Sequence, residues 1–269
     1  MKNKLPLAIS KFGVVGNPVK HSLSPQIHSQ FARQFEHLIE YNKYQIEPEN
    51  LKSFILEFFS KGGVGLNITV PYKQKVLPIV DKLSDAAKVA NSVNTLFIDN
   101  DNQLVGDTTD GRGLLLDLQS RGFQVKHKKI LVVGAGGASQ SILLSLLKAG
   151  ALVSVINRTA SKVEKLQKQF SSLGEIKVFD QSTIFTGIIS ATTEFNQTLM
   201  APVSDSLNQN TFCYDLNYAQ RAKDFKRFSL ENGCQRFADG MGMLFGQAAI
   251  TYQIWHQVLP NMSLLNISD

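Results

Sequence analysis

The chain has 269 residues, 43% hydrophobic and 19% charged, which is enough apolar material for a packed core and excludes wholesale disorder. Lys plus Arg exceed Asp plus Glu by 28 − 22 = +6, scattered without the basic stripe and interleaved aromatics of a nucleic-acid surface. Two cysteines, Cys213 and Cys234, are too few for a disulfide framework or a Cys-rich zinc site. At roughly 150 residues per domain, the length points to about two domains.

The opening stretch has no apolar run followed by a small-residue cleavage site, so a cytoplasmic protein is expected. The first strand is expected over 12–15, followed by a loop over 16–23. Ser24 and Pro25 then read as N-cap and first residue of a helix, because the hydroxyl satisfies an orphan N–H and proline needs no donor there. Ile27, Phe31, Phe35 and Leu38 give that helix its apolar face. A strand over 41–46 precedes a helix from Pro48, where Leu51, Phe54, Ile55 and Phe58 share one face. Strand 64–70 ends at Pro71, and 93–98 with 103–105 forms a hairpin around Asp99-Asn100-Asp101-Asn102.

From Lys129 onward, short apolar runs at 130–133, 152–156, 176–179, 187–190, 212–216 and 235–237 alternate with helical stretches at 140–149, 161–170 and 219–232. Buried strands alternating with helices predict a parallel sheet covered on both faces. Residues 131–147 carry no charge, but Gly134, Gly136 and Gly137 break the run, and it falls short of the ~20 apolar residues of a membrane span. A last helix over 243–258 follows Gly240 and Gly242 and need not belong to that second sheet. The fold class is α/β in two lobes.

Gly134-Ala135-Gly136-Gly137-Ala138-Ser139 lies between an expected strand and helix, where a dinucleotide turn needs glycine for tightness and for approach of a pyrophosphate to the helix start. Ser139 stands where glycine or alanine is usual. At the end of the next strand an NAD site wants a carboxylate. Here Asn157-Arg158-Thr159 and Lys162 offer cations and a hydroxyl, which suit the 2′-phosphate of NADP.

Seven segments, in order, resemble the shikimate dehydrogenase family. They are Gly16-Asn17-Pro18-Val19-Lys20-His21-Ser22-Leu23-Ser24-Pro25-Gln26-Ile27-His28, Asn67-Ile68-Thr69-Val70-Pro71-Tyr72-Lys73, Ala90-Asn91-Ser92-Val93-Asn94-Thr95 and Gly106-Asp107-Thr108-Thr109-Asp110-Gly111. Asn157-Arg158-Thr159, Tyr214-Asp215-Leu216-Asn217-Tyr218 and Ala238-Asp239-Gly240-Met241-Gly242-Met243-Leu244 leading to Gln247 complete the set.

The resemblance implies NADPH-dependent, reversible reduction of 3-dehydroshikimate to shikimate, a step toward aromatic amino acids. It implies a substrate-binding lobe of 1–109 plus 240–269, a Rossmann-type NADP lobe of 110–239, and substrate in the cleft. Lys73 and Asp110 become the catalytic pair, with the choice of formal acid left open. Ser22, Ser24 and Tyr218 would hold the substrate carboxylate, and Asn67, Thr69, Asn94, Asp110 and Gln247 the ring hydroxyls, Lys73 also touching substrate. The cofactor set is Gly134, Ala135, Gly136, Gly137, Ala138, Asn157, Arg158, Thr159, Lys162, Thr192, Gly240 and Met243. The partner is a small molecule, with no nucleic acid or membrane, and the chain acts as a monomer or homodimer.

Taken singly, these residues have plainer readings: Ser24 a helix cap, Lys73 a solvated lysine, Asp110 a cap and Gln247 a surface residue. Their joint order favours the site. His21 and His28 lack a third partner for a metal and read as loop and helix residues.

The chain departs from the family at Ser29 and Thr108, each in place of asparagine, at Ser190-Ala191-Thr192-Thr193-Glu194, and at 221–225, which lacks a Thr-Pro pair. Competing readings are a quinate/shikimate dehydrogenase of relaxed specificity and a non-catalytic NADP-binding sensor on the same fold.

Overall fold

The computed structural model describes residues 9–267, and the chain divides into two units, Asp110–Gln247 and the remainder, through Thr109 and again from Ala248. In the first unit lie β1 (Ser10–Gly16), α1 (Ser24–Gln34), β2 (Ile39–Gln45), α2 (Leu51–Ser60), β3 (Gly63–Ile68), β4 (Lys82–Leu83), α3 (Asp85–Ala90), β5 (Thr95–Ile98) and β6 (Leu104–Asp107). They form one mixed sheet in the order β2-β1-β3-β5-β6-β4. β1 runs parallel to β2 and β3, while the expected hairpin β5–β6 is antiparallel.

Strand alternation sorts this sheet into two faces. Val15, Leu66, Ile68 and Leu96 pack with Leu51 and Ile55 of α2 and with Tyr72 and Val76. On the opposite face Phe12 stacks on Trp255 at 4.7 Å, and a Cβ on Gly65 would strike the Trp255 indole. Asn67 shares Gly65's face by the same alternation and lies opposite Thr95, so polar side chains sit beside the aromatic rings of this layer.

Two details of the first helix differ from expectation. Ser24 is its first residue and not its cap, because Leu23 already has helical dihedrals and Pro25 follows. The Ser24 N–H is instead met by Ser22 Oγ at 3.3 Å. Leu38 lies past the helix end and is exposed.

The second unit holds α4 (Asp110–Ser120), β7 (Lys129–Val133), α5 (Gly137–Lys148), β8 (Leu152–Ile156), α6 (Ala160–Phe170), β9 (Ile176–Val178), β10 (Gly187–Ser190), α7 (Gln197–Met200), β11 (Phe212–Asp215), α8 (Lys223–Glu231), β12 (Arg236–Ala238) and the start of α9 (Met241–His256). Every pair in the sheet β12-β11-β10-β7-β8-β9 is parallel. This is the doubly wound Rossmann order, with its topological switch between β7 and β10. Ile130, Leu131, Val132 and Val133 are all buried, as a strand covered on both faces requires.

The expected helix over 219–232 begins as a 3₁₀ turn and becomes α8 only from Lys223. α9 starts at Met241, slightly earlier than expected, and the unit boundary falls inside it after Gln247, where the sequence put the lobe boundary at Gly240. Among the described residues no helix is long and apolar enough to cross a membrane.

Candidate active site

The glycine turn follows β7 at the switch point, where open parallel sheets bind ligands. Gly134 has φ +107°, a conformation that costs glycine little, and its N–H donates to the Ile156 carbonyl at 2.8 Å. A Cβ there would lie 3.1 Å from the Ala191 carbonyl, so the turns after β7 and β10 touch. A Cβ on Gly136 or Gly137 would meet nothing within 4 Å. Open space thus faces the first turn of α5, whose N–H groups lack intrahelical partners and attract anions. Ser139, the residue where glycine or alanine is usual, is buried and accepts the Gly136 N–H through Oγ at 3.2 Å, bracing the turn from beneath. The turn with Ala135 and Ala138 can therefore hold a diphosphate. At the end of β8, Asn157 Nδ2 donates to the Thr159 carbonyl at 3.0 Å, while Arg158, Thr159 and Lys162 are exposed and open to a phosphate.

Beyond β10 and β11 the chain forms a second lining. Thr192 is half-buried, and Ser190 Oγ lies 3.4 Å from Thr192 Oγ1. Asp215 is buried, and desolvation pushes its carboxyl up to about 6 although Asn217 and Ser190 hydrogen-bond to it. Met243, at the start of α9, donates its N–H to Tyr214 Oη at 3.1 Å, and that hydroxyl donates to Asp117 Oδ2 at 2.8 Å. Arg121 Nε donates to the same carboxylate oxygen at 2.8 Å. Burial and the Asp117 charge together raise the Tyr214 phenol far above its usual range.

Asp110 opens α4 and is buried. α4 crosses α9 so closely that a Cβ on Gly113 would lie 2.3 Å from the Gln247 backbone nitrogen. Asp110 and Gln247 therefore sit on two helices in direct backbone contact. Gln247 Nε2 donates to the Leu244 carbonyl at 3.0 Å. Tyr218 is half-buried just before the 3₁₀ turn that leads into α8.

The first unit gathers four of its polar candidates into two clusters, Ser22 with Ser24 and Asn67 with Asn94. Ser22 Oγ donates to Ser24 Oγ at 3.1 Å at the start of α1. Asn67 Nδ2 donates to the Asn94 carbonyl at 3.1 Å, and Asn67 Oδ1 accepts from the Tyr41 hydroxyl at 2.7 Å. Asn94 Nδ2 donates to Thr109 Oγ1 at 2.8 Å, and its Oδ1 accepts the Thr109 N–H at 2.8 Å. Thr251 of α9 joins Thr95 and Thr109 through hydroxyl contacts of 2.9 and 3.1 Å. Thr69 is half-buried beside Gly16, its N–H donating to the Val15 carbonyl at 2.9 Å. Lys73 lies in the turns over 71–79, is half-buried, and its carbonyl accepts the Val93 N–H at 2.8 Å, one residue before Asn94.

His28 stacks on Tyr41 at 4.7 Å, and burial lowers its imidazole to about 3, with the charge of His256 adding to the effect. No group of three or more His, Cys, Asp or Glu suited to a metal occurs among the described residues. Reading the sequence did not single out Tyr41, Thr251 or Asp117. Thr95, Thr109 and Asn217 lay inside recognised segments, which was the one signal available for them.

Comparison with known proteins identifies a family. A model of the shikimate dehydrogenase substrate binding domain matches residues 14–96, and one of shikimate / quinate 5-dehydrogenase matches residues 117–217. Shikimate dehydrogenase from Aquifex aeolicus is 31% identical, with 95% of this chain and 96% of that one covered at a TM-score of 0.84. An Ael1 enzyme from Pseudomonas putida is 30% identical over 96% of this chain and 99% of that one, at a TM-score of 0.86. Shikimate 5-dehydrogenase from Thermus thermophilus, solved in complex with NADP(H) and shikimate, is 27% identical over 95% of this chain and 97% of that one, at a TM-score of 0.84.

Proposed function

The chain belongs to the shikimate dehydrogenase family and is an NAD(P)-dependent oxidoreductase, and on that premise we propose that it reduces 3-dehydroshikimate to shikimate with NADPH, reversibly. One observation carries the reading. It is the family match over residues 14–96 and 117–217, beside a glycine turn that opens on the first turn of α5 in the second unit. Exposed Arg158 and Lys162, without a carboxylate at the end of β8, support NADP over NAD.

In this reading Ser22 and Ser24 hold the substrate carboxylate with their hydroxyls, assisted by Tyr218. Asn67, Thr69, Asn94, Asp110 and Gln247 take the ring hydroxyls, each an amide, hydroxyl or carboxylate able to pair with an alcohol. Bound NADPH supplies the hydride. As negative charge develops on the ketone oxygen, the Lys73 ammonium stabilises it, and one member of the proposed pair, Lys73 or Asp110, provides the proton. Gly134, Ala135, Gly136, Gly137 and Ala138 receive the diphosphate, and Asn157, Arg158, Thr159 and Lys162 the adenosine 2′-phosphate. Thr192, Gly240 and Met243 line the nicotinamide end. The residues through Thr109 and from Ala248 then form the substrate domain and Asp110–Gln247 the cofactor domain. We place this activity in the cytoplasm, in a monomer or homodimer acting on a small molecule.

The test is the rate of appearance of reduced nicotinamide absorbance with shikimate and NADP⁺, repeated with quinate and with NAD⁺. Turnover confined to shikimate and NADP⁺ is expected. Equal rates with quinate would replace this reading by the relaxed-specificity enzyme, and no turnover from protein that binds NADP⁺ would leave a sensor.

A further inference from the structure

The turn after β10 and the approach to α9 are both tied to residue 217. Asn217 Nδ2 donates to the Thr192 carbonyl at 2.8 Å, and the Asn217 carbonyl accepts the Gly240 N–H at 2.9 Å. Asp215 fixes Asn217 in turn, its Oδ1 accepting both the backbone N–H and Nδ2 at 3.0 Å. Gly240 is seated so tightly that a Cβ there would lie 2.2 Å from the Leu216 carbonyl oxygen. The Leu216 N–H closes the knot on the Ser190 carbonyl at 2.9 Å. A side chain at 217 must donate to a carbonyl and a carboxylate at once, and a primary amide has the two hydrogens to do so.

We propose that Asn217 is a positioning residue for the cofactor: its amide, anchored on Asp215, fixes the Thr192 carbonyl and with it the turn that lines the nicotinamide end. This rests on the reading of the protein as an NADP-linked dehydrogenase. Asn217 acts through Thr192 and Gly240 and need not touch the cofactor itself. Without its donor the Thr192 carbonyl loses a partner in a half-buried turn, and the turn relaxes away from the one position that suits a nicotinamide ring.

The test compares a ligand whose nicotinamide mononucleotide half would reach this turn with one that has no such half. NADPH binding is followed by its own fluorescence, and 2′,5′-ADP, which lacks the nicotinamide half, by calorimetry. Asn217→Leu keeps the number of side-chain atoms and removes both donors, while Asn217→Ala removes the side chain. Thermal unfolding of each variant reports whether the fold persists.

Both variants are expected to bind NADPH about tenfold more weakly, as loss of a hydrogen bond to a half-buried carbonyl implies. Their affinity for 2′,5′-ADP stays as in the wild type. Turnover of shikimate at saturating NADP⁺ falls while the KM for shikimate is unchanged. Equal weakening of both ligands, or unaltered NADPH binding in a folded variant, would overturn the role of Asn217 and leave the dehydrogenase reading standing. A wild-type protein that binds neither ligand would remove that reading and this role with it.

Discussion

Asn94 grips Thr109 from both sides, accepting its backbone N–H and donating to its hydroxyl, each at 2.8 Å. Thr109 is the last residue of the first unit's leading segment, and Asp110 begins the second unit, so a side chain of one cluster sets the backbone directly before a proposed catalytic carboxylate. Both residues are buried, and so are Thr95 and Thr251, which complete the network. Removing Asn94 therefore strands several partners at once. Asn94→Ala is expected to lose about 3 kcal/mol in urea unfolding, the cost of orphaned buried groups, together with most of the turnover. Full activity in a folded Asn94→Ala protein would exclude Asn94 from the substrate set.

Asp215 gives a pH dependence of known sign. Its folded carboxyl is raised to about 6 from an ordinary 3.8, so the ionised form costs stability at neutral pH and the cost vanishes as pH falls from about 6 toward 3.8. Asp215→Asn keeps an acceptor for the Asn217 N–H and removes the charge. It should raise Tm at pH 7.5 by an amount reflecting about 3 kcal/mol, with the gain shrinking at pH 4.5. A variant equally stabilised at both pH values would contradict a buried, reluctantly ionised carboxylate.

His28 works in the opposite direction. Its imidazole is held neutral down to about 3, so between 6.5 and that value the unfolded chain binds the extra proton and stability drops as the solution is acidified. The slope is about 1.4 kcal/mol per pH unit. His28→Phe preserves an aromatic ring against Tyr41 and Trp255 and should flatten the acid side of the stability profile. Unchanged acid sensitivity in that variant would mean that the charge of His28 is not excluded from the fold.

The parts of this fold legible in the sequence are those with local cause. Apolar runs such as 130–133 became strands because burial on both faces demands continuous hydrophobicity. The two-residue β4 and the four-residue α7 are too short to carry a period, and they exist because their surroundings pair or pack them. Ser24 shows the same limit at one residue, since the position of the cap was set by the dihedrals of Leu23 and not by its own hydroxyl. Among the proposed site residues, the glycine turn and the Arg158 cluster follow from spacing and charge. Asn67, Asn94, Lys73 and Asp110 emerged only from a resemblance. The bracing by Asn217 and the contacts of Thr251 emerged from neither, because their partners are set by three-dimensional packing, and Thr251 lies 142 and 156 positions from the threonines it meets.

Arg158 sets the cofactor preference in this account. Arg158→Asp replaces attraction for a 2′-phosphate by repulsion and supplies a carboxylate for a ribose hydroxyl. The ratio of kcat/KM for NADP⁺ to that for NAD⁺ should fall about a hundredfold. A ratio unchanged by this charge reversal would place the 2′-phosphate elsewhere.

The most direct measurement is turnover of shikimate with NADP⁺ by the wild type and by Lys73→Ala, with unfolding and NADPH binding recorded on the same samples. The account predicts rapid formation of reduced cofactor by the wild type. It predicts a loss of about a thousandfold or more in Lys73→Ala, whose folding and NADPH affinity stay intact. Wild-type turnover that survives in Lys73→Ala would contradict the assignment of Lys73 as the group that meets the developing oxyanion.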